Sequence, residues 1–283
     1  LEQCLQSIQQ HVPLYNKEVL VVDNASIEPE KWTSFASKFT FVSFFQLPEN
    51  IGFGRANQFA IERSKGQYLF LLNPDTVLES DVSVPFLAFM ENPLNAAVGC
   101  CGGVLYATSG RPVTSYGNFP SLFQSFASLG FYLFFKSFYY RKLSLGSANT
   151  YTQPTRVDYI AGADWFVRKE VLVSVGGFDP DFFLYFEETE LAWRLQKAGY
   201  QSWILPHVRI RHEEGGASGH NQERFNAFAY RHYLRSERLF YQKTKGHLYG
   251  FIALPLHLIS MTLHLLAKGK LGEWIARLKV WFS

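Results

Sequence analysis

Residues 50–78 read NIGFGRANQFAIERSKGQYLFLLNPDTVL, and this stretch decides the fold. Over residues 54–66 the apolar positions recur at helical spacing, and Gly66 supplies the stop. Residues 67–78 then form a continuous apolar strand, the pattern expected when helices cover both faces of a sheet. Working outward, EVLVVDNAS (18–26) and FVSFFQLPEN (41–50) read as strands, and residues 4–10 as a helix. DVSVPFLAFMENP (81–93) continues as helix and AAVGCCGGVLY (96–106) as strand. The alternation predicts a parallel α/β sheet through residue 105. In such sheets ligands bind beyond the carboxyl ends of strands.

Composition narrows the class. The chain has 283 residues, 47% apolar and 18% charged, enough for a substantial core and unlike a disordered protein. A formal charge of +3 gives no argument for nucleic acid, and none is expected as a partner. From Arg231 onward nine bases face only Glu237 and Glu273, so a tail at +7 follows a body at −4. A basic, apolar tail suits an anionic membrane surface. Residues 248–267 hold the longest apolar run, interrupted by Pro255, His257 and His264. It can span a bilayer, lie in the interface or pack as a buried helix. The expected division is a domain over 1–245 and an apolar, basic helical tail over 246–283. Three cysteines (Cys4, Cys100, Cys101) match neither a disulfide framework nor a zinc site. With no signal peptide opening the chain, the expected place is the cytoplasm, peripheral to the inner face of the cell membrane.

The strand ends carry the polar candidates. Asp23, Asn24 and Ser26 follow one strand, as an Asx turn or as ligands. Asn50, Gly52, Gly54 and Asn57 surround a helix start where backbone can approach a phosphate, although the third glycine of a dinucleotide fingerprint is absent. Asn73 and Asp75 flank Pro74 at the next strand end, where a carboxylate either caps the turn or ligates a divalent cation such as Mg2+ or Mn2+. In VRIRH (208–212), alternation puts Val208, Ile210 and His212 on one face and the arginines on the other. Glu187, Glu188 and Glu190 open the helix EETELAWRLQKAG (187–199), where negative charge meets the helix dipole. Helical geometry sets Glu187 and Glu190 on a similar side and Glu188 about 100° away. Arg194 can pair with Glu190 at i+4.

These pieces in this order, VVDNAS, ENIGFGRAN, LLNPD, the long segment from GADWFVRKE to RLQKAGY, and ILPHVRIRH, resemble family 2 glycosyltransferases. The bacterial rhamnosyltransferase-like branch is the most similar, over roughly residues 1 to 245. The resemblance implies a GT-A fold: a mostly parallel mixed central sheet flanked by helices. It also implies inverting transfer from a nucleoside-diphosphate sugar, dTDP-rhamnose or a UDP-sugar, to a glycan or lipid-linked saccharide. Asp23 then matches the aspartate on the donor base. Asp75 matches the last acid of the metal-binding Asp-x-Asp motif, with Asn73 replacing the first. His212 matches a metal- or diphosphate-site histidine, and Glu188 the catalytic base with Glu187 as its neighbour.

Gly162, Ala163, Asp164 and Trp165 fall where the acceptor approaches, Asp164 to hold a sugar hydroxyl and Trp165 to stack or to serve as core. The aromatic block over 119–140 reads as an acceptor-side insertion touching lipid, or as a buried helix. Similar enzymes begin with a strand before the first helix; Leu1 already sits in that helix, so the strand and part of the base pocket are expected outside this sequence. Two other readings stand beside the transferase. A nucleotidylyltransferase would want a Gly-rich basic loop near the N-terminus, and none is visible. A non-catalytic, membrane-associated glycan-binding or assembly protein would tolerate Asn73.

Overall fold

The computed structural model describes residues 1–13, 15–26, 28–212 and 225–282. Helix α1 (Glu2–His11) leads to β1 (Val19–Asp23), α2 (Pro29–Ala36) and β2 (Val42–Gln46). Helix α3 (Phe53–Arg63), β3 (Tyr68–Leu72), β4 (Thr76–Leu78), α4 (Ser83–Glu91) and β5 (Val98–Tyr106) follow. The middle of the chain holds β6 (Thr114–Gly117), α5 (Leu122–Ala127), α6 (Lys136–Lys142), β7 (Ser147–Ala148), β8 (Thr155–Val157) and β9 (Tyr159–Ile160). Next come β10 (Asp164–Arg168), α7 (Lys169–Ser174), α8 (Glu187–Lys197) and β11 (Gln201–His212). Three helices close the chain: α9 (Ala227–Lys245), α10 (His247–Ala267) and α11 (Leu271–Trp281).

The central sheet runs β3-β10-β5-β11-β4, with β8 also on β11. It is mixed, but less parallel than the alternation through residue 105 predicts. Only β5 and β11 pair in parallel within it, while β10 lies antiparallel to both β3 and β5. The cause is β10, a later segment inserted between two strands that the early repeat would have made neighbours. Strands β1 and β2 pair in parallel as a separate sheet, and β7-β6-β9 form a third. Every residue of β5 is buried, as its unbroken apolar run requires.

Two cores flank the central sheet. One joins Trp165, Val167 and Leu172 to Leu191 and Leu195 of α8. The other joins Phe86 and Met90 of α4 to Leu105, Phe166 and Ile210. A third holds Phe182 and Phe186 against Phe240, Tyr241 and Ala253. Helices α9 and α10 are therefore packed on the loop that precedes α8, and the chain from 246 onward is not a detached tail. The aromatic block is no buried helix: Phe123, Phe131, Leu133, Phe134 and Phe138 are exposed. It is tied to α10 where the Ser260 hydroxyl donates to the Ser128 carbonyl at 2.9 Å. All three cysteines are buried and free, and burial pushes the Cys100 thiol up to about 12.

Candidate active site

The turn between β3 and β4 sets the first half of the site. Thr76 donates its N–H (3.2 Å) and its hydroxyl (2.7 Å) to the Asn73 carbonyl, closing the turn around Pro74. Thr76 also pairs with His212 across β4 and β11. That register places Asp75 beside the last residue of β11, and its Oδ1 lies 3.3 Å from His212 Nε2. The two side chains are only 11% and 14% exposed. His212 Nδ1 is buried with no hydrogen-bond partner among the described residues. An oxygen and a nitrogen donor at this separation can face one small divalent cation, with phosphate oxygens and water completing its shell. Among the described residues no group of three or more His, Cys, Asp or Glu is arranged to hold a metal ion, and this pair is what they offer here.

The second half is the start of α8. Two consecutive aromatic residues before it, Tyr185 and Phe186, have φ of 68° and 66°. Left-handed backbone at bulky residues costs on the order of 1–3 kcal/mol each and persists only where the surroundings impose it. Here Ser236 Oγ donates to the Leu184 carbonyl at 2.8 Å, and Phe182 and Phe186 are locked in the third core. The bend starts the helix at Glu187, which is 4% exposed, and leaves Glu188 only partly buried. Glu190, 3% exposed, is gripped by Arg194 Nη2 at 2.7 Å and Nε at 2.7 and 2.9 Å. Arg194 also donates to the carbonyls of Val175 and Gly177, so this acid secures the loop leading to the site.

Burial, then the Glu188 charge, drives the Glu187 carboxyl well above the usual range; burial also raises Glu188. Adjacent carboxyls of this kind titrate as a pair. The Glu187 Cβ lies 3.4 Å from where a Cβ on Gly54 would stand, inside the α3–α8 contact. Tyr185 and Phe186 pack on Tyr233 at 5.9 and 5.3 Å. Glu188 has among its neighbours Gly162, whose added Cβ would sit 3.7 Å from the Glu188 carboxyl carbon and 3.8 Å from Phe53, and Tyr159. Nothing but its place at the head of YIAGADW marks Tyr159 in the sequence.

A backbone hydrogen bond ties the Asn73 turn to the segment that carries Gly162. The Asn73 N–H donates to the Ala163 carbonyl at 3.0 Å, and Ala163 follows Gly162. Beyond these, the acceptor-side expectations need correction. Asp164 is fully buried and accepts the Gly103 N–H at 2.6 Å, and burial holds its carboxyl well above the usual range. Trp165 is 1% exposed and donates Nε1 to the Ile160 carbonyl at 2.8 Å, so it is core and stacks on no sugar.

The glycine loop is also put to a different use. Gly52 adopts φ 92°, and a Cβ there would stand 2.5 Å from the Phe183 carbonyl oxygen. That carbonyl accepts the Phe53 N–H at 3.0 Å, while Asn24 Oδ1 and Asn50 Oδ1 accept from Ile51 and Gly52. The Phe53 amide docks the loop onto the acid-bearing segment, the Ile51 and Gly52 amides are taken by Asn24 and Asn50, and Gly54 serves helix packing. Asp23, 5% exposed, accepts from the Ser26 N–H at 3.1 Å and hydroxyl, and from Gln46 Nε2 at 3.1 Å. Asn57 donates to the Phe53 carbonyl of its own helix at 3.0 Å.

The model of the family described as Glycosyl transferase family 2 matches residues 1–150. The rhamnosyltransferase WbbL of Escherichia coli (strain K12) is 26% identical over 194 residues, 65% of this chain and 68% of its own. An N-acetylglucosaminyl-diphospho-decaprenol L-rhamnosyltransferase of Mycobacterium tuberculosis is 35% identical over 63 residues, 22% of this chain and 20% of its own. A mannosyltransferase from Pyrobaculum calidifontis, solved with GDP-Man and Mn2+, superposes at TM-score 0.53 with 15% identity, covering 99% of this chain and 81% of that one. GalNAc-T7, solved with UDP, GalNAc and Mn2+, gives TM-score 0.55 with 16% identity over 75% of this chain and 41% of its own. The mixed sheet, the strand-end placement of Asp75 and the family match agree: the chain belongs to glycosyl transferase family 2 and is a glycosyltransferase of the GT-A fold.

Proposed function

We propose that the protein transfers a sugar, with inversion, from a nucleoside-diphosphate donor to a glycan or lipid-linked saccharide, and that Glu188 is the base. The donor class we favour is dTDP-rhamnose or a UDP-sugar, following the rhamnosyltransferase relatives. One observation carries the reading. Gly162 lies against the Glu188 carboxyl while the next residue's carbonyl accepts from Asn73, two positions before Asp75, which supports a carboxylate base and the Asp75–His212 pair serving one site.

In the step itself the acceptor oxygen bonds to the anomeric carbon and its proton passes to Glu188. The bond from that carbon to the diphosphate oxygen breaks, and the electron pair leaves with the diphosphate. Glycine at 162 gives the acceptor room beside the carboxylate. The raised affinity of Glu188 for a proton makes it a better base than an ordinary surface glutamate. Asp75 and His212 would hold Mg2+ or Mn2+, which when bound supplies Lewis-acid neutralisation of the leaving group. Asp23, Asn24, Ser26 and Asn50 would form the edge of the donor site.

A membrane surface fits as the place of action. Helix α10 is the one described helix long and apolar enough to cross a bilayer, and only 22% of that window is buried. Its Leu248, Phe251 and Leu263 are exposed, as are Phe134 and Phe138 of the aromatic block that the Ser260–Ser128 hydrogen bond ties to α10. We read this as docking in the interface. Thermal unfolding with UDP or dTDP and Mn2+ tests the donor site. Nucleotide at a hundred times its Kd adds about 2.7 kcal/mol of stability, and Asp75→Ala abolishes the gain. No gain with any nucleotide would favour the non-catalytic glycan-binding reading.

A further inference from the structure

A cavity of about 620 Å3 lies between the aromatic block and the three C-terminal helices, away from the donor side. Its outer rim carries Lys268, Lys270 and Arg277, and its floor carries Glu237 and His257. Glu237 is 3% exposed, with His257 Nδ1 at 3.1 Å from Oε1 and 3.0 Å from Oε2. Glu273 holds Arg277 at 2.6 Å and Lys270 at 3.2 Å. Even so the rim is positive: burial, Lys268, Arg277 and Lys270 together pull the His264 imidazole below its ordinary value.

Two further features point to the occupant. Exposed Leu133, Phe134, Leu266 and Leu271 adjoin lining residues at the mouth, so a lipid chain leaving the cavity meets apolar surface. At the inner end Tyr233 packs on Phe186 at 5.3 Å and on Tyr185 at 5.9 Å, the residues that lead into Glu187 and Glu188. Leu145, also in the wall, accepts a hydrogen bond from the Tyr159 hydroxyl beside Glu188. The cavity thus offers bases and hydroxyl groups together, with Tyr233 and Leu145 linking its lining to the residues around Glu188.

We propose that this cavity binds the diphosphate and first sugar of a lipid-linked acceptor. Lys268 and Lys270 take the phosphate oxygens, and the Glu237–His257 pair accepts or donates to a sugar hydroxyl. The assignment rests on the transferase reading above and adds where the acceptor's anionic linkage sits.

The test is calorimetric titration of the full chain with geranyl diphosphate, with UDP or dTDP saturating the donor site. Wild type binds, Lys268→Ala/Lys270→Ala binds at least about 10-fold more weakly, and Lys279→Ala, a base outside the cavity, is unchanged. Nucleotide affinity is the same in all three, which reports intact folding. Absent binding, binding indifferent to the lysines, or loss confined to phosphatidylglycerol vesicles would overturn the assignment, the last by making the lysines a membrane contact. If wild type binds no nucleotide, the transferase reading itself fails, an outcome separable from the others.

Discussion

Replacing Gly52 by alanine tests whether the glycine loop is a docking joint or a phosphate cradle. Its φ of 92° lies where side chains are strained, and the new Cβ would stand 2.5 Å from backbone oxygen of Phe183, which has no flexible way to retreat. Strain of about 1–3 kcal/mol adds to the weakened Phe53 N–H bond, about 0.5–1.5 kcal/mol. The expected loss is about 2–4 kcal/mol, or on the order of 3–7 °C in Tm for a chain of this size. Gly54→Ala is the internal control. Its Cβ meets Glu187 and Phe178 at 3.4 Å, and the helix gains propensity of up to about 1 kcal/mol. The net change should stay within about 1 kcal/mol. Thermal and urea unfolding of both variants, with donor-nucleotide affinity, measure the contrast. If Gly52→Ala is as stable as Gly54→Ala and loses only nucleotide affinity, the docking role is wrong and the amides face phosphate after all.

Other perturbations probe the acids. Arg194→Met leaves the buried Glu190 charge unpaired and should cost about 3 kcal/mol, discounted for the partial exposure of Arg194; adding Glu190→Met should recover most of it. Unfolding of the single and double variants shows whether it does. Glu187 has a folded pKa above its unfolded value, so the stability it lends is full below the unfolded carboxylate pKa, about 4.3. That stability is lost as pH rises through the folded value. Glutamine does not titrate, so Glu187→Gln should gain stability relative to wild type between pH 5 and pH 8. A gap that stays constant in urea midpoints at the two pH values would refute the burial argument.

Much of this arrangement is legible in the sequence because it follows from local rules. Asp75 reaches the rim since a five-residue apolar strand ends in a proline turn, and Val208 and Ile210 alternate inward with Arg209 outward. The Glu190–Arg194 pair follows from helical spacing alone. What could not be read depends on partners distant in sequence. β10 is central and covered on both faces, so alternation gives no solvent side, and Asp164 and Trp165 are both buried. The task of Gly52 is set by Phe183, far along the chain, and a glycine's spacing does not tell whether backbone or phosphate comes close. The insertion of β10 between β3 and β5 is likewise a tertiary choice that a βα repeat does not reveal.

The most direct measurement is the turnover of Glu188→Gln with its donor and acceptor, beside its donor affinity. A carboxylate that takes the acceptor's proton contributes on the order of 100- to 10,000-fold. The variant should therefore lose at least about 100-fold in kcat with nucleotide binding unchanged. Transfer near the wild-type rate would contradict the assignment of Glu188 as the base.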